Sequence, residues 1–183
     1  MPKNRYVALL RGINVGGRNI IKMTDLRACF EELGFTAVET YIQSGNVVFS
    51  SRSARKVQLT KTIENSLSQA FRYDSCVVVV TGPELRQVVA QAPGGFGRSA
   101  SYRYDVVFLK EPLTPKKALE QVPTKPGIDT IHAGDHALYF RRLSSKAAQS
   151  HLPKLTQQPV YKSITIRNWN TTTTLQEMAS GDP

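Results

Sequence analysis

The spacing of apolar residues along the chain alternates between strand-like and helix-like periods. Tyr6–Leu10 is an unbroken apolar run of strand length, and Leu26, Cys29, Phe30 and Leu33 then recur at i, i+3, i+4 and i+7, the stripe of an amphipathic helix. Thr24 or Asp25 is placed to cap that helix, and Gly34 follows its last apolar position as a C-terminal glycine. Ala37–Ile42 and Val47–Ser50 read as a hairpin around Gln43-Ser44-Gly45-Asn46, where Gly and Asn tolerate positive φ. Leu59, Ile63, Leu67 and Phe71 mark a second helix, and the β-branched run Cys76–Val80 a strand covered on both faces. Glu84–Gln91 reads as a trailing helix with Pro83 at its start.

The same order then recurs. Tyr104–Leu109 is a strand, Thr114–Gln121 a helix, Ile128–His132 with Ala137–Phe140 a hairpin, Ser145–Leu155 a helix interrupted by Pro153, Ser163–Arg167 a strand, and Thr172–Ala179 a final helix. Gly45 is matched by Gly134, 89 residues on, whereas the first strands, Val7–Leu10 and Val106–Leu109, are 99 apart. The first half therefore holds about ten extra residues, Gly12–Lys22, between its first strand and first helix. These patterns predict an α+β chain of two tandem βαββαβ modules, each an antiparallel sheet with helices on one face and a trailing helix. Residues 1–91 form the first module, the Pro- and Gly-rich stretch 92–101 a linker, and 102–183 the second module with the C-terminal helix.

Composition adds bounds. The 183 residues are 40% hydrophobic and 21% charged, with no apolar run near the length of a membrane span. Met1–Tyr6 leads straight into a strand, with nothing like a secretory signal, and Cys29 and Cys76 fall in apolar patterns as buried thiols; both features point to the cytoplasm. A formal net charge of +10 favours an anionic partner: a nucleotide, a nucleic acid or another anionic ligand. The cations are nonetheless dispersed, without a basic tail.

The extra segment, Arg11-Gly12-Ile13-Asn14-Val15-Gly16-Gly17-Arg18-Asn19-Ile20-Ile21-Lys22, joins three glycines and three cations just ahead of a helix. Glycines let backbone N–H groups turn toward a ligand, and a helix N-terminus favours a phosphate. The spacing is neither that of a dinucleotide fingerprint nor of a Walker loop, and a tight crossover explains the same glycines. In a βαββαβ unit this loop and the hairpin turn share one sheet edge. Arg11, Gly12, Asn14, Gly16, Gly17 and Arg18 are therefore candidate ligand-binding residues together with Gln43, Ser44 and Asn46.

Near the C-terminus, Arg167, Asn168, Trp169 and Asn170 set a cation, two amides and the only Trp between a strand and a helix. Trp169 either stacks on a base or packs internally, and Asn170 or Thr171 is placed to cap the last helix. His132, His136 and His151 lie far from any nucleophile-like Ser or Cys, and His132 with His136 reads as an exposed turn, so no catalytic residue, metal or cofactor is assigned.

Three stretches, Leu9–Gly17, Thr40–Phe49 and Arg167–Thr171, together resemble the bacterial domain-of-unknown-function family numbered 1697. The resemblance implies a two-part ferredoxin-like α+β fold and carries no activity, substrate or cofactor with it. The leading expectation is binding of a phosphate-bearing ligand at the Gly-rich loop. A small enzyme acting on an anionic metabolite and a protein-interaction scaffold are the alternatives.

Overall fold

A computed structural model describes residues 4–53 and 55–181. They fall into two compact units, one drawn from Met1–Leu85 and Leu175–Pro183, the other Arg86–Thr174.

The first unit runs β1 (Asn4–Arg11), α1 (Met23–Glu32), β2 (Thr36–Tyr41), β3 (Asn46–Ser51), α2 (Lys56–Phe71) and β4 (Cys76–Thr81), and ends within α3 (Gly82–Ala90). Its sheet has the order β2-β3-β1-β4, every neighbour antiparallel. Alternation along β1 sends Tyr6, Ala8 and Leu10 to one face, where they join Val47, Phe49, Val77 and Val79 against Leu26 and Phe30 of α1 and Leu59, Ile63 and Leu67 of α2. Phe49 gathers the rings of Tyr6, Phe30 and Phe35 around it. The intervening Val7, Leu9, Val48, Val78 and Val80 are buried too, so both faces of these strands are covered.

Neither Thr24 nor Asp25 caps α1. The helix begins at Met23 with Lys22 in the cap position, and both residues fall in the first turn. The cause lies upstream: the buried Ile21 is pinned by its N–H to Asn14 Oδ1, so the first turn closes early, Leu26 N–H bonding to Lys22 O. Gly34 ends the helix with φ +80°, as its place after Leu33 requires. At α3 a full capping box forms. Thr81 Oγ1 accepts from Glu84 N–H, and Glu84 returns a carboxylate oxygen to Thr81 N–H.

The second unit contains β5 (Tyr102–Leu109), α4 (Pro115–Leu119), β6 (Asp129–Ala133), β7 (Ala137–Leu143) and β8 (Ile164–Asn168), and leads into α5 (Trp169–Ser180). Its sheet order is β6-β7-β5-β8, again antiparallel, the order of the first sheet position for position. Val107, Leu138, Phe140 and Ile164 face Ala118, Val122, Leu152, Leu155 and Val160. The helix expected at Ser145–Leu155 is absent. Three short 3-10 segments, Ser144–Gln149, Leu152–Gln157 and Pro159–Ser163, stand in its place. Pro153 and Pro159 each lack an N–H and fall in the first two positions of a new segment, which breaks an apolar spacing otherwise suited to a helix. Among the described residues no helix is long and apolar enough to cross a membrane.

Candidate functional site

The Gly-rich loop is a miniature hairpin. Val15 and Arg18 form an antiparallel bridge around Gly16 and Gly17, both with positive φ, the conformation a two-residue primed turn demands. Asn14 and Asn19 also have positive φ, which Asn tolerates better than other side chains, and Asn14 N–H bonds to Asn19 O. Asn19 Nδ2 donates to Gly12 O at 2.8 Å, closing the base of the loop. Ile13 and Ile21 turn inward and are buried.

The loop and the β2–β3 turn meet. Asn14 Nδ2 donates to Gln43 O at 2.9 Å and to Ile21 O at 3.0 Å, while its Oδ1 accepts from Ile21 N–H. Leu10 N–H reaches Gly45 O, and Gly45 packs so tightly on Leu10 and Ile13 that an added Cβ would lie 2.8 Å from Leu10 Cβ. Ile13 thus fills the joint between the two loops with hydrocarbon. Asn46, fully buried, donates through Nδ2 to Tyr41 O and Ser44 Oγ.

The candidate residues therefore divide by what their atoms already do. The carboxamides of Asn14 and Asn46 hold the chain together. Gly12, Gly16, Gly17, Arg18, Gln43 and Ser44 are exposed, and Arg11 at the end of β1 is half-buried. Among the described residues the N–H groups of Gly16 and Gly17 have no partner in the chain. A Cβ at either glycine would meet nothing within 4 Å, so glycine stands there for its φ alone.

The C-terminal motif also divides. Arg167 is buried, donating to Thr165 Oγ1 and Ile166 O, and burial draws its pKa down to about 10. Asn168 caps α5, its Oδ1 accepting from Thr171 N–H at 2.8 Å, so the cap lies two residues before Asn170 and three before Thr171, the expected positions. Trp169 is half-buried beside Phe96, ring centroids 5.1 Å apart and nearly perpendicular, and it lies over Gly97. Phe96, within the stretch read as a linker, also meets Tyr104 and Tyr139 edge-on.

Asn168, Trp169 and Asn170 line an open depression of about 630 Å³. Its other walls are Gly97–Ala100, Tyr102–Asp105 and Arg142. Sequence reasoning missed Arg98, Arg103, Arg142 and the flanking tyrosines. The available signal was Tyr102-Arg103-Tyr104-Asp105, aromatic and charged residues alternating where a buried strand should be apolar. Asp105 lies 3.2 Å from Arg142. Burial raises the Asp105 carboxyl above its usual value, and Arg142 and Arg103 offset this only in part.

Two four-stranded antiparallel sheets flanked by helices make this a mixed α/β protein. The chain belongs to the DUF1697 family, whose model, described as "Protein of unknown function (DUF1697)", matches residues 3–139. The motifs around Gly16 and Gly45 lie inside that match, and Arg167–Thr171 lies beyond it. No curated protein matches the chain. Among solved structures it is similar to the conserved bacterial protein SP0830 from Streptococcus pneumoniae, at 27% identity over 98% of this chain and 100% of that one, with a TM-score of 0.83.

Proposed function

We propose that this protein is a binding module whose Gly-rich loop takes a phosphate-bearing ligand, a nucleotide or a nucleic acid. The observation that carries the reading is the Asn14 clasp, which fastens the loop to the backbone of Gln43 and so holds two unpartnered glycine amides and the exposed Arg18 in a preset arrangement. Oriented amides with a guanidinium suit a phosphate, and fixing them beforehand lowers the ordering cost of binding. The contact set is Gly16, Gly17, Arg18, Gln43 and Ser44. Each unit is read as a ferredoxin-like module and the chain as their duplication, on the strength of the shared strand order. A cytoplasmic location fits the two buried thiols, Cys29 and Cys76.

Calorimetric titration with a panel of nucleotides and short oligonucleotides tests the function. Binding is expected to weaken with added salt, and about tenfold on Arg18→Ala, the loss of one charge-assisted hydrogen bond. A panel that gives no binding, or affinity indifferent to both salt and Arg18, overturns it.

A second reading, a protein-interaction scaffold, rests on a separate observation. Val15, Ile20 and Ile42 on these two loops are 64%, 76% and 49% exposed. Exposed apolar side chains gathered on adjoining loops favour a macromolecular partner. Val15→Ser with Ile20→Ser would abolish capture of such a partner and leave nucleotide affinity unchanged.

A further inference from the structure

We propose that the second unit carries a nucleotide site of its own, with Trp169 stacking on the base and Arg98 and Arg103 holding the phosphate. This site does not depend on the Gly-rich loop reading.

The depression follows from strand lengths. β5 pairs with β8 only from Asp105, opposite Asn168, onward, whereas its pairing with β7 starts at Tyr102. Residues 102–104 therefore run past the end of β8, and the chain leaves the sheet at Asn168 to begin α5. The space left at that corner, about 630 Å³, lies within the range of small-ligand sites. The positive end of α5 opens onto it.

Charge at this corner is arranged against stability. Arg103 stands directly opposite Arg142 across the β5–β7 ladder, a placement in which like charges repel. Asp105 is the only acid lining the depression, against the guanidinium groups of Arg98, Arg103 and Arg142. Its Oδ2 lies 3.2 Å from Arg142 Nη2, so one charge pair is made, while Arg142 Nε is buried without a hydrogen bond. Among the described residues neither Arg98 nor Arg103 has an ion-pair partner, and both are exposed. A bound anion would supply the missing charge.

The aromatic wall separates a nucleotide from a plain anion. Phe96 packs nearly perpendicular to Trp169, and Gly97, with φ +82°, leaves room for the indole where any Cβ would stand 2.2 Å from its Cδ1. A ring fixed in this way is a ready stacking platform, and the exposed Asn170 offers a donor and an acceptor to a base edge. The base and phosphate can come from a free mononucleotide or from a stretch of single-stranded nucleic acid.

Trp169 is the only tryptophan in the chain, so its fluorescence reports this corner directly. The full chain is titrated with AMP, an oligodeoxythymidylate, adenosine and inorganic phosphate. Saturable quenching by AMP or by the oligonucleotide is expected, the tighter of the two identifying the source, with adenosine weaker and phosphate silent. Arg98→Ala and Arg103→Ala, both at exposed positions, should each weaken the quenching at least about tenfold. Arg18→Ala should leave it unchanged, even if that variant loses binding by calorimetry. No quenching by either nucleotide form, quenching indifferent to both arginines, or quenching lost with Arg18→Ala overturns the proposal.

Discussion

Asn14 holds the Gly-rich loop together more than its glycines do. Its side chain makes three hydrogen bonds, two within the loop and one to the Gln43 carbonyl, from a backbone with φ 53°. Asn14→Ala removes all three and places alanine in the left-handed region, so a loss of about 2 kcal/mol in urea-induced unfolding is expected, with the N–H groups of residues 19–22 exchanging faster. The sequence shows that Asn14 and Asn46 belong to a loop and an adjoining turn. It does not show whether their amides face a ligand or their own backbone, because both uses call for the same residue in the same place. Asn168, rather than Asn170, capping α5 is the same ambiguity one turn along.

At the scale of elements, the strands were the most legible features. Helix starts were less so: Lys22 stands at the cap of α1, Asn168 caps α5, and the capping box of α3 went unread. Thr81-Gly82-Pro83-Glu84 forms a capping box, and Glu84 also pairs with Lys56 at 2.6 Å. Burial works to raise the Glu84 carboxyl, but the hydrogen bonds from Lys56 and Thr81 outweigh it and hold the group below its usual value of 4.5. A depressed carboxylate contributes stability above its unfolded-state pKa and loses that contribution as pH falls through the folded-state value. Glu84→Gln should therefore unfold more easily than the parent by about 1 kcal/mol at neutral pH, and the two should converge in acid, as denaturation at several pH values would show. The region 144–163 was illegible for a definite reason. Ala147, Ala148, Leu152 and Leu155 keep a helical spacing, and only Pro153 and Pro159 argue otherwise. The arginine-lined corner was hidden more deeply. Arg98, Arg103 and Arg142 lie on a loop and two strands and come together only through the β5–β7 register, so each alone reads as a solvated cation.

At the scale of the whole molecule, the element order revealed two similar sheets, but not that the first unit is discontinuous. Residues from Leu175 onward group with Met1–Leu85, where Leu175 and Ala179 are buried and Gly82 fits against the Ala179 carbonyl so closely that a Cβ would approach to 3.2 Å. No pattern in a single sequence announces a return across some ninety residues, because an amphipathic helix shows that it has a buried side and not what covers it. A chain ending at Thr174 is expected to melt at a lower temperature than the parent. In hydrogen exchange, protection should fall first in β1 and β4 while β5 and β7 keep theirs.

That discontinuity bears on how the protein is made. A nascent chain emerges from the ribosome at about 5–20 residues per second, and its parts ordinarily settle in the order they appear. Here β1–β4 can pack on α1 and α2 as soon as they emerge, since that core is drawn from Tyr6–Val79, but the residues from Leu175 onward join the same unit only after Arg86–Thr174 has been made. The unit begun first is thus still open when translation reaches the end of the other.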